Sequence, residues 1–301
     1  MKRVVVIGGG TGSFTVLQGL KEHDIAITAV VSMFDSGGST GVLKDEYGIL
    51  PPGDIRRCLI ALSEEKILRD LFMYRFDKGS IKDHSFGNLF LTALKEITKS
   101  DVKAIKKAAE ILKIKGIVLP VTINKSTLCA KLEDGTVIKG EKNIDIPKHD
   151  GNIKITDVFL EPEAKIFKAT KKAIVNADLI VIGPGDLYTS VVPNLLVKGV
   201  CDAIRKNKGK KVYVCNIMTK FGETNGYKAS NHLKVIQRFV DVDYIICNTG
   251  KKRKLKKYAK EGSFPVEIDA VNVKMINGNF VNRSDLIRHN SKKLAKALIR
   301  L

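Results

Sequence analysis

The stretch "KRVVVIGGGTGSFTVLQGLKEHDIAITAVVSM", Lys2 to Met33, decides the fold. Val4 to Ile7 is a short run apolar throughout, Thr15 to Lys21 carries helical spacing, and Ile25 to Ser32 is again apolar and β-branched. Strands that are apolar on both faces belong to a parallel sheet covered by helices. The stretch predicts strand, glycine turn, helix, strand. A helix and a strand follow again in "AIKKAAEILKIKGIVLPVTI" (104–123), and "ADLIVIGPGD" (177–186), "KKVYVCNIMT" (210–219) and "VDYIICNTG" (242–250) are further apolar runs. The predicted class is α/β, a Rossmann-like doubly wound, mostly parallel sheet in a single nucleotide-binding domain over 1–301, with ligands at the strands' carboxyl ends. Residues 118–162 break the alternation: polar and apolar positions alternate there, Asp134-Gly135 has hairpin chemistry, and a β-rich insertion is expected.

No apolar run approaches the roughly 20 residues of a membrane span. The amino terminus has neither the length nor the cleavage site of a signal peptide, so a cytoplasmic protein with no membrane partner is expected. Cys58, Cys129, Cys201, Cys215 and Cys247 lie far apart, without a CxxC pair, and suggest neither disulfides nor zinc. The net charge of +20 is mostly lysine spread along the chain and dense only in "KKRKLKKYAK" (251–260). It reads as a solvated face or general anion attraction ahead of nucleic-acid binding.

The chemistry gathers in glycine turns. In Gly8-Gly9-Gly10-Thr11-Gly12-Ser13, backbone amides and the helix dipole either receive a phosphate or simply make a tight turn, and Ser13 stands where the dinucleotide fingerprint has glycine. Asp35 follows the second strand near the ribose-binding place and precedes a second glycine loop, Ser36-Gly37-Gly38-Ser39-Thr40-Gly41. It reads as a ligand to magnesium or a sugar hydroxyl, or as an Asx-turn closing the loop. In "LPPGDIRRCLIALS" (50–63) Asp54 reads as an N-cap before Ile55 to Leu62. Arg56 and Arg57 oppose the helix dipole there, so at least one is expected to have an anionic partner. His84 and Asn88 open another helix in "DHSFGNLFLTALKEI" (83–97), where His84 is either structural or catalytic. Asp35, Asp54 and His84 are the catalytic candidates, and Asp35 and Asp54 the metal candidates. Finally Gly183-Pro184-Gly185, with Tyr188 and Thr189 behind it, offers donors and a ring for a nucleotide. Asn216, Thr219 and the segment Glu223, Thr224, Tyr227 are expected on the same rim, the last three as a lid.

Taken together, "VVVIGGGTGSF", "DSGGSTGVLKDEYGILPPGDIRRCLIALS", "HSFGNLFLTAL", "IGPGDLYTSVVPNLL", "CNIMTKFGETNGY" and "RHNSKKLAKAL" resemble the gluconeogenesis factor (YvcK-like) family, within the 2-phospho-L-lactate transferase (CofD-like) superfamily. The resemblance implies a cytoplasmic regulator that binds a UDP-sugar such as UDP-N-acetylglucosamine, needed for cell shape and wall-precursor supply under gluconeogenic growth, with no established reaction and no required cofactor. The transferase branch implies instead a magnesium-dependent transfer of a nucleotide-activated phospho-lactyl group to a deazaflavin. That branch has a "GPSNP"-like loop where this chain has "GPGDLYTS" (183–190). On the leading reading the turns at 8–12 and 183–185 hold the diphosphate, Asp35 and Asn216 lie near sugar hydroxyls, and Gly9, Gly10, Thr11, Gly12, Gly37, Gly38 and Ser39 belong to the same rim. The resemblance adds Tyr258 and Arg288 as a clamp on the UDP-sugar. It also places Ser291 where the family carries a phosphorylatable threonine, implying a Ser/Thr kinase as partner, and it is compatible with a homo-oligomer. Two departures stand out: Phe34 occupies the place of a first acidic residue before the double glycine, and Lys220-Phe221 stands where Gln-Pro is common.

Overall fold

The computed structural model describes residues 1–250, 255–282 and 286–301, so part of the lysine-dense segment lies outside the described residues. The chain opens with β1 (Arg3–Gly8), α1 (Gly10–Leu20) and β2 (Ala26–Val31), followed by five helices: α2 (Gly38–Tyr47), α3 (Pro52–Leu62), α4 (Lys66–Met73), α5 (Phe86–Thr98) and α6 (Asp101–Ile111). Next come β3 (Ile117–Pro120), β4 (Thr127–Leu132), β5 (Val137–Lys139), α7 (Glu141–Asp145), β6 (Ile155–Glu161), α8 (Lys168–Val175) and β7 (Leu179–Ile182). A wide helical turn, Leu187–Val191, leads into α9 (Val192–Leu196) and α10 (Val200–Lys206), then β8 (Lys210–Val214), α11 (Ala229–Gln237), β9 (Tyr244–Asn248), α12 (Leu255–Lys260), β10 (Lys274–Gly278) and α13 (Ser291–Ile299).

Seven strands form one parallel sheet in the order β10-β9-β8-β7-β1-β2-β3. The all-apolar strands sit at its centre, as the predicted class requires: every residue of β7 is buried, as are Val4 to Ile7. The chain builds outward from β1 in one direction through β2 and β3, then returns to β1's other edge with β7. The loops leaving β1 and β7 therefore diverge and open a crevice at their carboxyl ends, the usual place for a ligand in such sheets.

A separate antiparallel sheet, β5-β4-β6, is the expected insertion. Its hairpin turns at Asp134-Gly135, where Gly135 has φ +89° and Leu132 N donates to Thr136 O at 2.8 Å. The expected start at Val118 is corrected: Val118 to Pro120 belong to β3, in register with Ala29 to Val31 of the main sheet. On the outside, α13 packs on α1 so closely that a Cβ at Gly19 would lie 2.1 Å from the carbonyl oxygen of Ser291.

Candidate functional site

Two glycine turns meet at the crevice. Gly9 caps α1 in an extended conformation and Gly10 has φ +60°, so the first amides of α1 face the opening. A Cβ at Gly12 would lie 2.0 Å from the Pro184 carbonyl oxygen, and one at Gly9 would lie 2.3 Å from Asp54 Oδ2. These glycines let the turn after β1, the turn after β7 and the Asp54 carboxylate touch. Ser13, the departure from the dinucleotide fingerprint, packs its hydroxyl against Gly8, 2.6 Å from where a Cβ there would stand.

One cavity of about 310 Å³ is strongly acidic: Asp35, Asp54, Glu141, Asp145 and Asp186 line it, against Arg57 and Lys220. Asp54 is not the expected N-cap. Pro51 holds that position and Pro52 starts α3, which makes Asp54 the third helical residue. Asp35 does close an Asx-turn, accepting from Gly37 N at 2.9 Å, and its Oδ2 faces Gly53. The insertion supplies Glu141, whose carboxylate accepts from Ser36 N at 3.2 Å, while Lys142 N donates to Ser36 Oγ at 3.0 Å. Burial, then the charge of Asp35, pushes Asp54 up to about 7 and Glu141 up to about 8. Asp145, Asp186 and Glu223 also approach one another, but Lys220 Nζ already stands 2.8 Å from Asp145 and 3.7 Å from Asp186. Phe34 does not face this cavity: it is 1% exposed, in the core.

The raised carboxylates fix the sign of a pH effect. Between the unfolded values near 4 and the folded values near 7 and 8, the native state binds more protons than the unfolded one, so stability falls as pH rises through that window. Asp54→Asn is expected to melt higher than the parent by on the order of a few °C at pH 8.5, with the advantage vanishing near pH 4. Melting curves across that range check it, and a pH-independent difference would contradict the crowding of charges.

A second cavity of about 340 Å³ adjoins the first, lined by Thr11, Gly12, Pro184, Gly185, Asn216 and Thr219 together with Tyr258 and Arg288. Tyr258 Oη accepts from Ile287 N at 2.7 Å, fixing α12 against the segment that carries Arg288. His289 also lines it, is 8% exposed, and is pushed down to about 4 by burial, hence neutral. Its Nε2 and Asn216 Oδ1 are buried without a hydrogen-bond partner among the described residues. A third cavity, about 280 Å³, gathers four arginines around Thr11 and Phe14.

Several expected residues lie behind these walls. Tyr188 is 2% exposed; its amide donates to Glu223 at 2.8 Å and its hydroxyl meets Tyr227 Oη at 3.0 Å, so its ring cannot stack on a base. Glu223, Thr224 and Tyr227 are not a lid: Glu223 and Thr224 are buried, and Glu223 also accepts from Thr189 Oγ1, bracing the turn that carries Tyr188. Thr219 Oγ1 accepts from Phe264 N, and Thr189 keeps a place on the acidic cavity. His84, Ser39 and Asn88 line none of the three cavities. Asn88 donates to Ser39 Oγ at 3.1 Å, leaving the Ser39 proton for His84 Nδ1 at 3.0 Å, and Asn88 Oδ1 accepts from Arg56 Nε at 2.9 Å. Gly37 caps α2 and Gly38 starts it, one step back from the rim. The anionic partner expected for Arg56 or Arg57 is not a carboxylate ion pair: the arginine ion pairs among the described residues are Arg3–Asp178, Arg205–Asp202 and Arg238–Asp157. The five cysteines are free and line none of the cavities described. Sequence reasoning missed Glu141, Asp145, Lys220, Arg75 and His289 as cleft residues. The "RHNSKKLAKAL" block pointed toward His289 alone among them.

A crevice at the switch point of a doubly wound sheet, floored by two glycine turns and ringed by carboxylates and arginines, defines a Rossmann-like α/β protein. The model of the 2-phospho-L-lactate transferase CofD family matches residues 4–285. The chain is similar to the gluconeogenesis factor of Halalkalibacterium halodurans, 44% identical with 99% of this chain and 96% of that protein covered. It is also similar to the gluconeogenesis factor of Listeria monocytogenes, 41% identical with 99% and 94% covered. A crystal structure of a UPF0052 family member from Bacillus halodurans superimposes with a TM-score of 0.95 at 43% identity, covering 99% of this chain and all of the other. The chain belongs to the CofD family and, within it, to the gluconeogenesis factors. Among the described residues no helix is long and apolar enough to cross a membrane.

Proposed function

We propose that this protein binds a UDP-sugar of the UDP-N-acetylglucosamine type and acts as a cytoplasmic regulator of cell shape and wall-precursor supply during gluconeogenic growth. The observation that carries the reading is the convergence of Tyr258 and Arg288 on one cavity with the two glycine turns. The amides of α1 suit a diphosphate, Arg288 supplies a cation beside it, and Tyr258 closes the side. The unpartnered Asn216 Oδ1 and His289 Nε2 give the cavity two polar atoms to turn toward sugar or base. Ser291, half-buried as the first residue of α13, is the residue on which a kinase would act.

A second reading, a magnesium-dependent transferase acting on a nucleotide-activated donor, draws on one specific observation. Asp35, Asp54 and Glu141 share the acidic cavity, and burial, followed by the charge of Asp35, raises the last two. Carboxylates are the donors a hard divalent cation takes, and an ion bound in this cavity would offset their charge and that of a diphosphate leaving group. Calorimetric titration of UDP-N-acetylglucosamine, UDP-glucose, GTP and NAD, with and without magnesium and at two salt concentrations, separates the two. Micromolar, magnesium-independent binding of a UDP-sugar is expected. Binding of a guanine nucleotide alone, and only with magnesium, would move the assignment to the transferase.

A further inference from the structure

The arginine cavity is left without a task by the nucleotide reading. Arg56 and Arg57 come from α3, Arg75 from the loop after α4, and Arg288 from the segment before α13. Arg56 is 7% exposed, and its guanidinium is held only by neutral acceptors: Asn88 Oδ1 at 2.9 Å from Nε and the Phe72 carbonyl at 3.2 Å from Nη1. Room for it has been made deliberately, since a Cβ at Gly87 would lie 2.6 Å from Arg56 Cδ and 2.8 Å from the Phe72 carbonyl oxygen. Burial, followed by the charges of Arg57 and Arg75, lowers Arg56 to about 10 despite the nearby carboxylates of Asp54 and Asp35, so the group stays charged at neutral pH.

A structural role accounts for part of this. Arg56 ties α3 to α5 through Asn88 and to α4 through Phe72. It does not account for Arg57 and Arg75, which are exposed, also lack carboxylate ion pairs among the described residues, and nonetheless converge on the same cavity. Arg57 Nη1 donates to Thr11 Oγ1 at 2.5 Å, and Arg75 Nη1 to the Asp83 carbonyl oxygen, so both are held in place by neutral groups. Like charges brought together around a buried guanidinium are costly unless an anion completes them. Planar guanidinium forks arriving from separate elements match the several oxygens of a phosphate.

We infer that this cavity binds the phosphate group of a second, non-nucleotide ligand beside the nucleotide cleft. Phe14, Ile60 and Met73 on the same wall give the ligand's carbon skeleton an apolar surface. Thr11 and Arg288 line both this cavity and the nucleotide cavity, so occupants of the two share a wall and each changes the other's affinity.

The inference goes beyond the nucleotide reading and is tested without nucleotide. Melting temperature is followed as inorganic phosphate rises to about 20 mM, with ionic strength held constant by sodium chloride and with acetate as the comparison anion. A saturable rise with phosphate and none with acetate is expected. Arg57→Gln and Arg75→Gln, both at exposed positions, should each raise the half-saturating phosphate concentration about tenfold and together remove the rise, whereas Tyr258→Ala should retain it. No rise in the parent protein, an equal rise with acetate, a rise undiminished in the double variant, or its loss in Tyr258→Ala would each overturn the assignment.

Discussion

Arg288→Ala is expected to weaken UDP-sugar binding at least 100-fold, about 2.7 kcal/mol, while leaving the melting temperature within a degree or two of the parent. The two halves of that result have separate causes. Arg288 is exposed and lines the cavity, so its removal deletes the cation nearest the expected diphosphate without opening the core. A guanidinium opposite a phosphate forms paired, charge-assisted hydrogen bonds, and truncating one partner of such a pair typically costs 2–5 kcal/mol. Arg288→Lys should recover only part of the loss, since an ammonium keeps the charge without the fork. Calorimetry on the folded variants reads the outcome, and unchanged affinity in Arg288→Ala takes the residue out of the site.

Gly12→Val is expected to produce the largest change of all, a protein that fails to accumulate folded or loses on the order of 3 kcal/mol or more. The first atom of any side chain at this position would stand 2.0 Å from the Pro184 oxygen and 2.5 Å from its carbonyl carbon. Backbone on both sides leaves nothing flexible to yield, so the turns after β1 and β7 must separate or the sheet must shift. Gly38→Ala is the informative control: unlike Gly12 it has positive φ, +42°, and no atom within 4 Å of its would-be Cβ, so its cost should stay near that of backbone strain alone, about 1 kcal/mol. Urea titrations of both variants compare steric against conformational cost. Equal losses would mean that contact with Pro184 does not govern the site.

The main sheet was legible because its central strands are apolar on both faces, and a run such as Leu179 to Ile182 has no other stable home. The glycine turns were legible for a related reason: they interrupt those runs where backbone must approach backbone. Tyr188 was misread because the turn from Leu187 to Val191 is wider than an α-helical turn, with Val191 N reaching back to Asp186 O, and this swings the ring inward toward Tyr227. Asp54 was misplaced by three residues because the helix starts at Pro52 rather than at Ile55. Glu141 gave no local signal at all. It lies in a five-residue helix of the insertion, and the hydrogen bonds to Ser36, more than a hundred residues earlier, bring it into the cleft. Lys220 carried the opposite lesson: a visible departure in sequence whose meaning, a cation between Asp145 and Asp186, is set by an element 75 residues away.

The links that complete the cleft are long in sequence: Ser36 to Glu141 spans 105 residues, Asp145 to Lys220 spans 75, and Asn225 to Gly151 spans 74. Closing chain loops of that length costs conformational entropy that the packed structure has to offset. A ligand held in the cleft binds only a chain in which these links between the small antiparallel sheet and the large parallel one are closed, so its presence shifts the balance toward the folded form by mass action.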